Sequence, residues 1–375
     1  MKFKILKEGM DFGGKTVLLR LDLNVRIFEG RVIDDFRIRM SLPTMRLLKN
    51  AGAKTVILSH IDSPETDSLE ILSAYLNNLF PVSFARTFEE LQAALPTLPA
   101  GSFVMFENLR RHPGEESLDE DFTRRLAALG NVFVNEAFSV SHRAHSSIAL
   151  LPKFLPSYAG LRFAEEVEKL SGALQPLRPA LLLAGGAKFE TKLPLVEKFL
   201  RLYDRVAVVG ALANDCFKAK GFNIGSSAAS GKSPDLSHVV SNPKLFLPSD
   251  VLVRNPKGIF AKDAAELQAD DKIVDIGPKT LDFFGKFVGQ FRFVLWNGPL
   301  GVYEEGFRKG TEDLVKIIAA ADVKSIVGGG DTYAAISSLG AIEKFDFIST
   351  GGGAMLDFLA NETLPGIEAL ENNPR

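Results

Sequence analysis

Short apolar runs rich in β-branched residues alternate with helical patterns along the whole of this 375-residue chain, and that alternation constrains the fold more than any other feature. Thr16 to Leu21 predicts a buried strand, Arg37 to Asn50 an amphipathic helix stopping before Gly52, and Thr55 to Ser59 the next strand. Glu70 to Phe80 predicts a helix closed by Pro81. Phe103 to Phe106, the helix Asp119 to Leu129 and the strand Val132 to Val134 continue the series. The second half repeats it with strands at Ala180–Leu183, Arg205–Val209, Phe293–Trp296, Ser325–Val327 and Phe345–Ile348, and helices at Pro194–Leu202, Gly310–Ala320 and Ala354–Ala360. Such alternation predicts βαβ units and mostly parallel sheets with helices on both faces.

Between the halves, a charged helical stretch from Glu165 to Leu174 ends at Pro176 and Pro179. It reads as an interdomain connector. The expected fold class is therefore α/β: two doubly wound parallel-sheet (Rossmann-like) domains over 1–164 and 179–355, joined by a hinge helix over 165–178. Each half is large enough for its own core.

Composition narrows the function. Apolar residues make up 46% and charged residues 24%, the proportions of a soluble globular protein. Lys plus Arg number 44 against 46 Asp plus Glu, a net charge of −2, which argues against a polycationic nucleic-acid binder. One cysteine, Cys216, excludes an internal disulfide framework and fits a reducing cytosol. Apolar runs such as Ala180–Ala184 are too short to span a bilayer, and the first residues lack the apolar stretch of a signal peptide. A cytoplasmic protein without membrane partners is the expectation.

In open parallel sheets, ligands bind beyond the carboxyl ends of the strands. The residues placed there segregate by type. In the first half they are polar and basic: Asp22 and Asn24, His60, Asn108 and Arg110, Asn135 and His142-Arg143-Ala144-His145, with Arg37 opening the first helix. Any one arginine is ordinarily a solvated surface charge. Several at neighbouring strand ends, beside His60 and Asp22, form a cradle for phosphate or carboxylate oxygens.

In the second half the same positions hold glycines with isolated charges: Gly185-Gly186-Ala187-Lys188 with Lys192, Trp296-Asn297-Gly298-Pro299 leading to Glu304, Gly328-Gly329-Gly330-Asp331-Thr332, and Gly351-Gly352-Gly353. A single glycine pair commonly does no more than tighten a strand–helix turn. Several together let backbone N–H groups approach an anion. With two lysines for phosphates and Asp331 for a metal, the set suits a magnesium nucleotide.

Other patterns carry less. Gly225 to Ser233 imitates a phosphate-binding loop but has one residue too many between its glycines and no leading strand. His142 and His145 lack further metal ligands at a coherent spacing, and Cys216 sits in an apolar helical context that reads as core. No Ser-His-Asp arrangement is legible.

Taken in order, the motifs resemble the phosphoglycerate kinase family. The resemblance is carried by Arg20-Leu-Asp22-Leu23-Asn24-Val, Arg37-Ile-Arg, Leu58-Ser-His60, Glu107-Asn-Leu-Arg110 and His142-Arg143-Ala-His145-Ser-Ser. It continues through Gly185-Gly-Ala-Lys188 with Lys192, Leu247-Pro-Ser-Asp250, Asp275-Ile-Gly-Pro-Lys-Thr280, Trp296-Asn-Gly-Pro, Gly328-Gly-Gly-Asp331-Thr332 and Ser349-Thr-Gly-Gly-Gly-Ala354. It implies reversible phosphoryl transfer between 1,3-bisphosphoglycerate and Mg-ADP, yielding 3-phosphoglycerate and ATP. It also implies a monomer with an N-terminal substrate domain, a C-terminal nucleotide domain, closure about a hinge, and a tail over 356–375 returning to the first domain.

Position by position, the resemblance implies that Asp22, Leu23, Asn24, Arg37, His60, Arg110 and Arg143 bind the acid substrate. Lys188 and Lys192 would meet nucleotide phosphates and Glu304 the ribose. Gly329, Gly330, Asp331 and Thr332 would hold the phosphate–magnesium end, with Asp331 as the metal ligand. Arg37 and Lys192, with Gly351 and Gly352 at a helix start, would stabilise the transferring group.

The departures from the family pattern gather in the first half. Ser-His-Leu-Gly-Arg-Pro is here Ser59-His60-Ile61-Asp62-Ser63-Pro64, so a positive charge is lost and a negative one gained. Asn-Val-Pro is Asn24-Val25-Arg26, Asn-Asp-Ala-Phe-Gly is Asn135-Glu136-Ala137-Phe138-Ser139, and Arg111 replaces a phenylalanine. Weaker acid-substrate affinity is expected. The alternative reading is a nucleotide-binding homologue with impaired kinase activity that acts as a binding or regulatory protein.

Overall fold

Strands buried on both faces must alternate which face each side chain serves, and the first sheet shows this directly. The structure, a computed structural model, describes residues 2–187, 189–230 and 235–373. It divides into two units, the first built from residues up to Glu168 together with those from Asn361 onward, the second from Lys169 to Ala360.

The first unit contains β1 (Thr16–Arg20), a small antiparallel hairpin β2 (Ile27–Phe28) and β3 (Arg31–Val32), then β4 (Lys54–Leu58), β5 (Val82–Ala85), β6 (Phe103–Phe106), β7 (Val132–Asn135) and β8 (Ser157–Ala159). Its six-stranded sheet has the order β5-β6-β4-β1-β7-β8, every pair parallel. Val17, Leu19, Ile57, Met105 and Val134 face one core with Ile38, Met45 and Leu72 of the helices Phe36–Asn50 and Glu70–Asn77. Leu18, Val56, Val104 and Phe133 face the other, against Leu91 and Leu126 of the helices Phe88–Ala94 and Glu120–Ala127.

The second unit contains β9 (Ala180–Ala184), β10 (Arg205–Val208), β11 (Leu245–Phe246), β12 (Asp250–Asn255), β13 (Gly258–Asp263), β14 (Lys272–Ile276), β15 (Phe293–Asn297), β16 (Lys324–Gly328) and β17 (Phe347–Ile348). Six of them form a parallel sheet in the order β11-β10-β9-β15-β16-β17. The α/β class with two parallel sheets is thus observed. The antiparallel sheet β13-β12-β14 is an addition that the alternation did not announce.

The connector helix runs Leu161–Ala173, starting four residues before the charged stretch that signalled it. The buried Glu136 carboxylate fixes that start: it accepts from the N–H groups of Arg162 and Phe163, both at 3.1 Å, and from Thr44 Oγ1 at 2.5 Å. Acidic caps of this kind satisfy the donors a helix leaves open at its first turn. Cys216 is a buried core residue, its thiol pushed up to about 12 by burial. No helix among the described residues is long and apolar enough to cross a membrane.

Candidate active site

Parallel strands deliver their following loops to one edge of a sheet, and in the first unit those loops assemble a charged cluster. Asp22, two residues past β1, pairs with Arg37 at 3.0 Å and accepts from the Ser139 hydroxyl and the Asn24 N–H. Arg37 also donates to Asn24 O at 2.8 Å. Burial alone would raise the Asp22 carboxyl, but the Arg37 charge and the hydrogen bonds from the Ser139 hydroxyl and the Asn24 N–H hold it below the usual carboxylate range.

His60, beyond β4, is buried, and its Nδ1 lies 3.2 Å from Nη2 of Arg20. A guanidinium only donates, so Nδ1 accepts and the ring proton resides on Nε2. Burial and the Arg20 charge keep this histidine well below its ordinary pKa and therefore neutral. Arg20 itself is fully buried, held by Ser147 Oγ at 2.9 Å, Leu21 O at 2.6 Å and the Glu115 carboxylate at 3.9 Å. In sequence it stood in a strand and opened the Arg20-Leu-Asp22 motif without an assigned role, yet it orients His60.

Arg110 pairs with Asp62 at 3.0 Å, and its Nε lies 3.3 Å from Glu116. Asn24 Oδ1 accepts from the Asp62 N–H at 3.0 Å, which ties the 60–64 loop to the β1 loop. The acid introduced at Asp62 is thus matched by Arg110. Leu23 buries its side chain in the core, its N–H donating to Ser59 Oγ at 3.1 Å and its carbonyl accepting from Val25 N at 2.9 Å. Arg143 is exposed in the turn that leads to His145, whose pKa falls to about 4 through burial and the Arg20 charge.

In the second unit, the turns after β9 and β15 stack backbone on backbone. Gly298 has φ 93°, and a Cβ there would lie 2.5 Å from Gly185 O, so glycine is required. These turns, with Gly210 after β10 and Gly329-Gly330 after β16, wall a cleft of about 350 Å³. Of the residues foreseen, Lys192, Glu304, Gly329, Gly330 and Asp331 line it. Lys192 is buried and donates to Gly185 O at 2.5 Å. Lys188 lies outside the described residues, as do Gly231, Lys232 and Ser233 of the phosphate-loop imitation.

Thr332 turns inward, its Oγ1 buried without a hydrogen-bond partner among the described residues, and Gly351 and Gly352 are not among those that line this cleft. They precede the helix Gly353–Asn361, which follows β17.

Asp331 stands near Glu304, and burial together with that like charge raises its pKa. Two carboxylates facing one cleft with oxygen donors alone suit a hard cation. Among the described residues no cluster of three or more His, Cys, Asp or Glu could hold a metal, so substrate oxygens and water would have to complete the shell.

Several lining residues escaped the strand-end reading. Gly210 follows a strand whose end was legible and obeys the same rule as its neighbours. Lys272, Ile273, Val274 and Asp275 come from β14, in the unannounced antiparallel sheet. Asp275 is pushed up to about 6 by burial while it accepts from Gly310 N at 2.9 Å and Ile276 N at 2.8 Å.

An anion cluster on one parallel-sheet unit and a glycine-walled, nucleotide-sized cleft on another define a kinase that transfers phosphoryl groups to a small acid. The model of the phosphoglycerate kinase family matches residues 7–362, and the chain belongs to that family. It is 36% identical to a phosphoglycerate kinase of a Caulobacter species, over 99% of this chain and all of that one. A Wolbachia relative of the same name is 37% identical over 97% and 98% of the two chains. Among solved structures, the phosphoglycerate kinase of Coxiella burnetii superposes with a TM-score of 0.82 at 32% identity, covering 98% of each chain. That of Pyrococcus horikoshii gives 0.83 at 30%, over 96% and 97%.

Proposed function

We propose that this kinase catalyses reversible phosphoryl transfer between 1,3-bisphosphoglycerate and Mg-ADP, giving 3-phosphoglycerate and ATP. The observation that carries the reading is the division of chemistry between the units: the first gathers Asp22, Asn24, Arg37, His60 and Arg110, and the second walls a cleft with backbone amides, Lys192 and two carboxylates. The relatives are kinases by name, which favours turnover over the binding-only alternative.

Phosphoryl transfer asks for positioning and charge neutralisation rather than a protein nucleophile. Neutral His60 gives the acid substrate a hydrogen bond from Nε2 and no charge. Arg37 and Arg143 supply cations, and Arg37 is aimed by its contacts with Asp22 and Asn24 O. In the cleft, Lys192 meets nucleotide phosphates, Glu304 the ribose, and Gly329 and Gly330 offer N–H donors. Asp331 would hold magnesium, which when bound neutralises phosphate charge. With the two substrates on different units, transfer requires domain closure, for which the helix Leu161–Ala173 is the hinge we favour. Family membership also supports a cytoplasmic monomer.

A coupled steady-state assay with Mg-ATP, and 3-phosphoglycerate raised to high millimolar, tests the reading. Turnover in the ordinary range for a kinase is expected. Intact Mg-ATP binding without detectable turnover would sink it and leave the binding-only alternative.

A further inference from the structure

The loops after β1 and β4 enclose a second open groove of about 400 Å³, lined by Asn24 to Phe28 and by Asp62 to Glu65. It brings Arg26 and Ser63 into one groove although 37 positions separate them, and it shares Asn24 with the anion cluster. The cations around that cluster differ in how far they are engaged. Arg20 is buried against Glu115, Arg37 is paired with Asp22, and Arg110 with Asp62 and Glu116. Arg26 is exposed, and its guanidinium has no hydrogen bond or ion pair with the described residues, while its carbonyl is anchored by Ile33 N at 2.9 Å. Asp62, which lines the same groove, is held by Arg110, and neither it nor Glu65 forms an ion pair with Arg26 among the described residues. Ser63 Oγ accepts from Glu65 N at 3.2 Å, which leaves its own hydrogen to donate.

We propose that Arg26 and Ser63 form an oxyanion clamp for the acid substrate, the guanidinium giving charge and the hydroxyl a second hydrogen bond. This rests on 3-phosphoglycerate being that acid. A guanidinium on a backbone-anchored loop presents a fork of donors that suits phosphate or carboxylate geometry. The missing cation of the 60–64 loop is thereby supplied across the groove from the β1 loop.

The test compares the wild type, Arg26→Ala, and Arg26→Ala combined with Ser63→Arg, using steady-state kinetics and direct titration with 3-phosphoglycerate. In Arg26→Ala, KM and Kd for 3-phosphoglycerate should rise together by about ten- to a hundred-fold, as expected for losing a charge-assisted contact. KM for ATP and the melting temperature should stay unchanged, because Arg26 is exposed. Ser63→Arg should restore most of the affinity. Titration with glycerate distinguishes the ends of the substrate: an unchanged weak affinity assigns the clamp to phosphate, a parallel loss to carboxylate.

Binding of 3-phosphoglycerate by Arg26→Ala within two-fold of the wild type overturns the clamp, and failure of the Ser63→Arg rescue overturns its placement in a shared groove. A wild type that neither binds nor phosphorylates 3-phosphoglycerate overturns the functional reading first, and this proposal with it.

Discussion

Lys192 is 8% exposed, unusual for a lysine, and it sits where backbone turns converge on the cleft. A buried ammonium beside transferring phosphates is worth more than the same charge in water. Lys192→Ala should therefore lower kcat by about 10²–10³, with the melting temperature checked to exclude misfolding. A loss of only a few-fold with both substrates saturating would remove Lys192 from the transfer step. At this scale, the residues directly past strand ends were legible, because a parallel sheet places every such loop on one edge. Asp22, Arg37, His60 and Arg110 come together for that reason. What orients them was not legible: Arg20 behind His60, Ser139 on Asp22 and Asp62 on Arg110 depend on side chains far apart in sequence. Arg26 stood out in sequence as a departure, but only the structure sets it opposite Ser63.

Elements were legible in proportion to their burial. β9 and β15 bury all five of their residues and read as strands at once. β13 leaves most of its residues exposed, and β11 and the hairpin strands β2 and β3 are two residues long, so no apolar period marks them. The connector helix was legible from its charges but not its start, because the cap is Glu136 from another strand's loop. Gly160 permits the approach: a Cβ there would lie 2.0 Å from the Glu136 carboxylate. Burial raises Glu136 to about 7 against three stabilising hydrogen bonds. The folded protein therefore keeps a proton that the unfolded chain releases above about pH 4.5. Stability from this group is full below that value, falls as pH rises toward 7, and is level beyond, a change on the order of 3 kcal/mol. Glu136→Gln should flatten the decline in melting temperature between pH 5 and 7.5. Parallel profiles for variant and wild type would show that Glu136 does not titrate there.

At the scale of the molecule, the chain folds two sheets in sequence and then spends its last described residues on the first. After Ala360 it rejoins the unit that it left at Glu168. Gly366 N donates to Ser141 O at 2.9 Å, Asn373 Nδ2 to Leu155 O at 2.9 Å, and the helix Pro365–Glu371 buries Ile367 and Leu370, with Leu364 buried just ahead of it. Three large aliphatic side chains at about 1.5–3 kcal/mol each amount to roughly 4.5–9 kcal/mol, a large share of the stability of any single domain. The second unit gains nothing from these contacts, and its cleft is lined wholly by its own residues. Truncation before Asn361 should therefore lower the melting of the first unit sharply and abolish binding of 3-phosphoglycerate. Mg-ATP binding should survive, and saturating Mg-ATP should still raise the melting of the second unit, since a ligand stabilises only what it binds. Calorimetry with and without Mg-ATP, alongside limited proteolysis, separates the two transitions. A truncated chain that melts as the full one does would mean the returning segment is dispensable packing, whereas loss of Mg-ATP binding would mean the second unit needs the first in order to fold.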